Sequence, residues 1–388
     1  MTRIYLDYAA TTPLDPQIAD AMCEIQKHVG NPNSIHHEGQ IMRGFIDEAR
    51  RNVAQIFDRA EQNVVFVPSA TAANNFVLQG VVKRFKKLYA HIIPEIIISA
   101  VEHASIYEVA RMLEREKEIV LTILPVDAQG SISMQELREK ISERTALISI
   151  QWVNNETGIM QNIKEIAKIV ASYKEQNQSV YPFFHTDAVQ GIGHLPMQDC
   201  KVVDFITISA HKIYGPTGIG VLLMPQEPLI DPVLYGGGQE NGWWSGTESA
   251  DRIVGCAKAI VEALNNQEEQ MHHYAMLRSY AKEKLQAHSA GISFYGNEEN
   301  VSPHIISFRI PQVLRPDIAL DLEDIAVSSG AACSQQSVAP SRVLQAMGVS
   351  ATYAQESIRV SFGKQTTKKE IDVLVDAIVT VQKRSVAR

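Results

Sequence analysis

Val202-Val203-Asp204-Phe205-Ile206-Thr207-Ile208-Ser209-Ala210-His211-Lys212 is an apolar, β-branched run that ends in a polar tetrad. A run of that composition reads as a buried strand, so the tetrad sits where the chain leaves a sheet. A lysine at such an exit can lose part of its hydration, which lowers its pKa and frees its amine for a Schiff base. Pyridoxal phosphate needs such an amine, and Ser209 and His211 could hydrogen-bond its phosphate. On these four residues alone, a solvated strand end is the simpler reading. A second stretch, Val180-Tyr181-Pro182-Phe183-Phe184-His185-Thr186-Asp187-Ala188-Val189-Gln190, is another apolar run that ends in a carboxylate. Pyridoxal phosphate stores electrons in its ring while the pyridine nitrogen stays protonated, and a buried carboxylate beside that nitrogen keeps it so. Adjacent strands carrying Asp187 and Lys212 to one sheet edge would set these groups at opposite ends of the cofactor. The alternative for Asp187 is to cap a following helix.

Around these two stretches, short apolar runs alternate with amphipathic segments. Val64–Val67, Ile96–Val101, Ile119–Leu124, Ala146–Val153, Tyr181–Asp187, Val202–Ser209 and Gly220–Met224 read as strands. Thr71–Tyr89, Ser105–Arg115, Ser133–Ile141 and Lys164–Glu175 read as helices. That rhythm predicts an α/β fold with a mainly parallel seven-stranded sheet and its ligand at the strand ends. One long charged helix is expected from Glu248 to about His288, followed by strands His304–Ile310 and Ser357–Phe362 and a helical pattern over Lys368–Val381. The expected division is a large cofactor-binding domain at 14–256 and a smaller α+β domain from 1–13 and 257–388.

The chain has 388 residues and a net charge of −8, and no basic block offers a footprint for nucleic acid. Lys83-Arg84-Phe85-Lys86-Lys87 is its densest positive cluster and fits the solvated end of a helix. No run of about 18 apolar residues suggests a membrane span. Met1 leads almost at once into Ile4-Tyr5-Leu6-Asp7-Tyr8, which leaves no room for a signal peptide, so a cytoplasmic location is expected. The four cysteines have no metal-ligand spacing, and no metal site is expected. Cys23, Cys200 and Cys256 read as core or near-core thiols.

Cys333 differs. Ser328-Ser329-Gly330-Ala331-Ala332-Cys333-Ser334-Gln335-Gln336-Ser337-Val338-Ala339-Pro340-Ser341 surrounds one thiol with small residues that have little apolar anchoring. A mobile loop is expected there, and an accessible thiol is what a reactive cysteine needs. In Ser357-Ile358-Arg359-Val360-Ser361-Phe362, Arg359 shares a strand face with two serines and could clamp a substrate carboxylate. An exposed arginine without a role is the alternative.

Together these motifs resemble the cysteine desulfurases of the NifS/IscS type, in the class-V aminotransferase family of fold-type I pyridoxal-phosphate enzymes. The resemblance runs nearly end to end. It begins at Tyr5-Leu6-Asp7-Tyr8-Ala9-Ala10-Thr11-Thr12-Pro13 and Gly30-Asn31-Pro32-Asn33-Ser34-Ile35-His36. Glu102-His103, Asn154-Asn155-Glu156-Thr157-Gly158, the Asp187 and Lys212 stretches, Gly236-Gly237-Gly238, Ser245-Gly246-Thr247, the Cys333 loop and Ser357-Ile358-Arg359 follow in order.

The resemblance implies that Lys212 holds pyridoxal 5'-phosphate, that His103 stacks on its ring and shuttles protons, and that Asp187 faces the pyridine nitrogen. It implies that Gln190 meets the ring hydroxyl. Ala70, Thr71, Ser209 and His211 would hold the phosphate, with Thr247 from the neighbouring subunit of a homodimer. Asn155 and Arg359 would bind the substrate carboxylate. Cys333 would take sulfur from L-cysteine as a persulfide, release alanine and pass the sulfur to an acceptor or scaffold protein for iron–sulfur or other sulfur-cofactor assembly. Selenocysteine lyase, another β-elimination enzyme of the family, or a catalytically silent scaffold of the same fold are the alternatives. Trp244 stands where the family usually has a basic residue, Ala72 where it commonly has Glu, and the chain stops at Arg388 soon after its last helical pattern. These departures suggest a specialised acceptor.

Overall fold

The computed structural model describes residues 3–314, 322, 324–328 and 340–386. Strand β1 (Ile4–Tyr5) lies outside the main sheet. That sheet contains β2 (Val64–Val67), β3 (Glu95–Ser99), β4 (Val120–Leu124), β5 (Thr145–Ser149), β6 (Phe183–Asp187), β7 (Phe205–Ser209) and β8 (Gly220–Leu223), ordered β2-β8-β7-β6-β5-β3-β4. All run parallel except β8, which is antiparallel to both its neighbours.

Both faces of this sheet are buried, which is why its strands are near-continuous apolar runs. Ile97, Ile148, Phe184, Ile206 and Val221 face one way, into a core shared with α1 (Pro16–Gln26) and α2 (His37–Phe57). Ile96, Ile98, Leu147, Phe183, Phe205 and Leu222 face the other, onto α3 (Ala70–Leu88) and α4 (Ala104–Arg115). Helices α5 (Met134–Lys140) and α6 (Ile163–Asn177) complete the first face. Two expected strands are shorter than their apolar runs. Ala146–Val153 leaves the ladder after Ser149, and Val202, 59% exposed, precedes the first paired residue of β7.

The single long helix expected after Glu248 is two helices, α7 (Ala250–Asn265) and α8 (Gln267–His288). Asn266 stands between them: its backbone N–H (3.2 Å) and its side-chain amide (2.9 Å) both donate to the Glu262 carbonyl, and its φ of −101° and ψ of 9° depart from helical values. Beyond α8, strands β9 (Ser293–Phe294), β10 (Ile305–Arg309) and β12 (Ser357–Ser361) form an antiparallel sheet in the order β12-β10-β9. Its core joins Leu277 and Leu285 of α8 to Phe308, Ile358 and Leu374, the last from the closing helix Lys368–Val386. Strand β11 (Ile325–Ala326) pairs in parallel with β1, tying the amino terminus to this second core.

Candidate active site

Parallel strands deliver their carboxyl ends to one edge, and the reversed β8 brings its amino end to the same edge. The residues that follow β2, β3, β5, β6 and β7 therefore meet there. They line a cavity of about 500 Å³ that contains Ala70, Thr71, His103, Asn155, Asp187, Gln190, Ser209, His211, Lys212 and Arg359. Lys212 ends a 3-10 turn directly after β7, and its Nζ donates to the carbonyls of Ala9 (2.7 Å) and Ala10 (2.6 Å). Asp187, the last residue of β6, accepts from the Asn74 side chain at 2.8 Å and from the Val189 N–H at 3.1 Å. Gln190 donates to the Ala9 carbonyl at 2.8 Å and lies 3.1 Å from His304 Nε2.

Helix α3 begins at the wall of the same cavity. Ser69 caps it by accepting from the Ala72 N–H at 3.1 Å. The first N–H groups of any helix lack intrahelical acceptors, so those of Ala70 and Thr71 make an anion-binding end. Gly220 permits this approach: a Cβ there would stand 3.1 Å from the Ala70 nitrogen and 2.7 Å from the Ile208 oxygen. His211 Nδ1 lies 3.0 Å from Thr11 Oγ1. Burial, and then the charge of Lys212, push the His211 pKa down to about 4.

Arg359 is 2% exposed, which removes the reading of it as a surface arginine. Its guanidinium donates to the Asn155 carbonyl at 2.5 Å and pairs with Asp7 at 2.6 Å. Reading the chain in order gave Asp7 no role, since its partner lies at the far end of the sequence. Asn74, Ser105 and His304 also went unassigned; each touches an expected site residue through a fold contact that spacing does not reveal.

Thr247 is exposed and does not line this cavity. Cys333 lies outside the described residues. Trp243 and Trp244 are half-buried, with ring centroids 6.4 and 6.1 Å from that of Phe76 on α3, so the indoles pack against the core. Cys200 and Cys256 are buried as expected, whereas Cys23 is exposed. Helix α1 buries Ile18 and Ile25, and Cys23, two residues before Ile25, falls on the other side.

A cavity that joins a half-buried lysine to a buried carboxylate at the strand ends of this α/β fold defines a class, and comparison with known proteins gives it a family. The family described as Aminotransferase class-V matches residues 4–374. The cysteine desulfurase IscS of Dictyoglomus turgidum is 37% identical over 380 residues, covering 97% of this chain and 93% of that protein. The mitochondrial cysteine desulfurase of Arabidopsis thaliana is 37% identical over 381 residues, covering 97% and 82%. A solved NifS-like protein superposes with a TM-score of 0.89 at 30% identity, covering 99% of this chain and 100% of that one. The chain belongs to the class-V aminotransferase family, and within it to the cysteine desulfurases of the NifS/IscS type.

Proposed function

We propose that this cavity binds pyridoxal 5'-phosphate and removes sulfur from L-cysteine, leaving alanine and a persulfide on Cys333. The observation that carries the reading is one cavity holding the Lys212 amine, the Asp187 carboxylate and the amino end of α3. The donor set fits the cofactor: an anion end at Ala70, Thr71, Ser209 and His211, a carboxylate for a ring nitrogen, and an amine for an aldehyde. When bound, the cofactor supplies an electron sink that labilises the bonds at the substrate α-carbon.

The chain's own residues do the rest. Arg359, fixed by Asp7 and the Asn155 carbonyl, presents its remaining N–H donors to the substrate carboxylate. Lys212 is the amine placed to take up and return the α-proton, and the Ala9 and Ala10 carbonyls hold it in position. His103, at the cavity wall, moves a proton at its ring nitrogen. The Cys333 thiolate takes the substrate sulfur and hands it to an acceptor protein for iron–sulfur or other sulfur-cofactor assembly. The exposure of Thr247, away from this chain's own cavity, supports a homodimer in which it serves the second copy. Among the described residues, no helix is long and apolar enough to cross a membrane; we take the cytoplasm as the place of action.

The test is incubation with L-cysteine followed by mass analysis of the peptide carrying Cys333. One added sulfur on Cys333, with alanine in solution, is expected. A visible absorption band that vanishes in Lys212→Ala is expected as well. Sulfide release at full rate from Cys333→Ala would overturn the role of the thiol.

A further inference from the structure

Three hydrogen bonds join Asp187 to His103 through two side chains to which the mechanism gives no part. Asn74, wholly buried in the first turns of α3, places its Nδ2 2.8 Å from Asp187 Oδ2 and 2.8 Å from Ser105 Oγ. Ser105 Oγ lies 2.7 Å from His103 Nδ1. The amide orientation follows from charge: a carboxylate accepts hydrogen bonds and repels a carbonyl oxygen, so Asn74 must turn its nitrogen toward Asp187. Asn74 Oδ1 is accordingly left buried with no hydrogen-bond partner. That is a cost the fold bears to keep both N–H groups on Asp187 and Ser105.

The direction propagates. Ser105 Oγ accepts from Asn74 and keeps its own proton to donate. His103 is also the N-cap of α4, and its Nδ1 accepts the Ser105 backbone N–H at 3.2 Å. A ring nitrogen that accepts a backbone N–H carries no proton, so the Ser105 hydroxyl donates to that same nitrogen.

We propose that Asn74 and Ser105 are positioning residues that transmit the orientation demanded by Asp187 to His103, fixing its neutral ring with the proton on Nε2. The inference rests on the functional reading above for its purpose, and deepens it by naming the atom. His103 enters the reaction as a donor at Nε2, on the ring edge turned away from Ser105, while its Nδ1 is kept as an acceptor. One arrangement thus couples the carboxylate meant for the cofactor ring to the proton carrier at the cavity wall.

The experiment is nitrogen-15 NMR of the holoenzyme labelled in its histidine rings, with the His103 signals identified by their loss in His103→Gln. The unaltered enzyme should show a protonated Nε2 and an unprotonated Nδ1. Ser105→Ala removes only a hydroxyl and keeps the backbone N–H that donates to His103, the N-cap of α4. It should lower the Nε2–H to Nδ1–H ratio roughly tenfold, the scale of one neutral hydrogen bond, and Ser105→Thr should restore it. Asn74→Leu should lower the ratio in the same direction and also shift the visible cofactor band, because Asp187 loses its donor. A proton on Nδ1 in the unaltered enzyme, or an unchanged ratio in Ser105→Ala, overturns the proposal. An unchanged ratio in Asn74→Leu overturns the part given to Asp187. A protein without any visible band would instead overturn the functional reading and leave this test intact, because every atom of the relay belongs to the chain.

Discussion

Replacing Glu102 by glutamine should flatten the dependence of stability on pH. Glu102 is wholly buried between β3 and α4; both its oxygens lie 3.0 Å from the Gln151 N–H, and Oε1 lies 2.5 Å from Ser99 Oγ. Burial pushes its pKa from 4.5 up to about 8; the Ser99 and Gln151 hydrogen bonds pull it down, Asp187 raises it and Arg342 lowers it. Between those two values the folded chain holds a proton that the unfolded chain has released. The contribution to stability is therefore complete below pH 4.5 and is lost as pH rises through 8. The slope for one such group is about 1.4 kcal/mol per pH unit. From about pH 5.5 to 7.5, the natural protein should lose roughly 2.7 kcal/mol relative to Glu102→Gln, whose amide stays neutral and can donate to Ser99 Oγ. Urea-unfolding free energies of both proteins across that range provide the measurement. Parallel profiles would refute the assignment of a protonated, buried carboxyl at this position.

Three other substitutions test other parts of the structure. Arg359→Lys should raise KM for L-cysteine roughly 10- to 100-fold with a smaller change in kcat, because an ammonium cannot reproduce the planar fork shared with Asp7; steady-state kinetics decide it. Gly220→Ala should weaken pyridoxal phosphate affinity by about tenfold or more in a binding titration, since its Cβ would push the first turn of α3 away from β8. Glu240→Ala should cost about 3–5 kcal/mol in denaturant unfolding. It strands buried Arg50, whose two terminal nitrogens each lie 2.8 Å from the carboxylate, and frees the Phe66 N–H that donates to the same group.

Much of the fold was legible because both faces of the main sheet are buried. Six of its seven strands are mainly apolar, β6 opens on Phe183 and Phe184 before its polar end, and the intervening helices carry their own periodic pattern. Strand ends were less legible, because apolar residues such as Ile150 and Val153 stay buried after the ladder has ended. The break at Asn266 is not legible because polar, charged residues on both sides continue a helical pattern, and the interruption is one residue's departure from helical backbone angles. Ten of the expected site residues line one cavity: nine end or follow a strand of the main sheet or begin α3 at the shared edge, and Arg359 reaches it from β12 of the second sheet.

By itself, the order of residues determined which chemical groups stand at strand ends, because burial and alternation are local properties that a short window contains. It also carried enough motifs in series to mark the family. The tertiary structure alone decided which distant groups meet: Asp7 with Arg359, Asn74 with Asp187, His304 with Gln190, and the amino end of α3 with Gly220. The physical reason is that such contacts depend on strand order and on the reversal of β8. These are set by how the whole core packs, not by the residues on either side of each group.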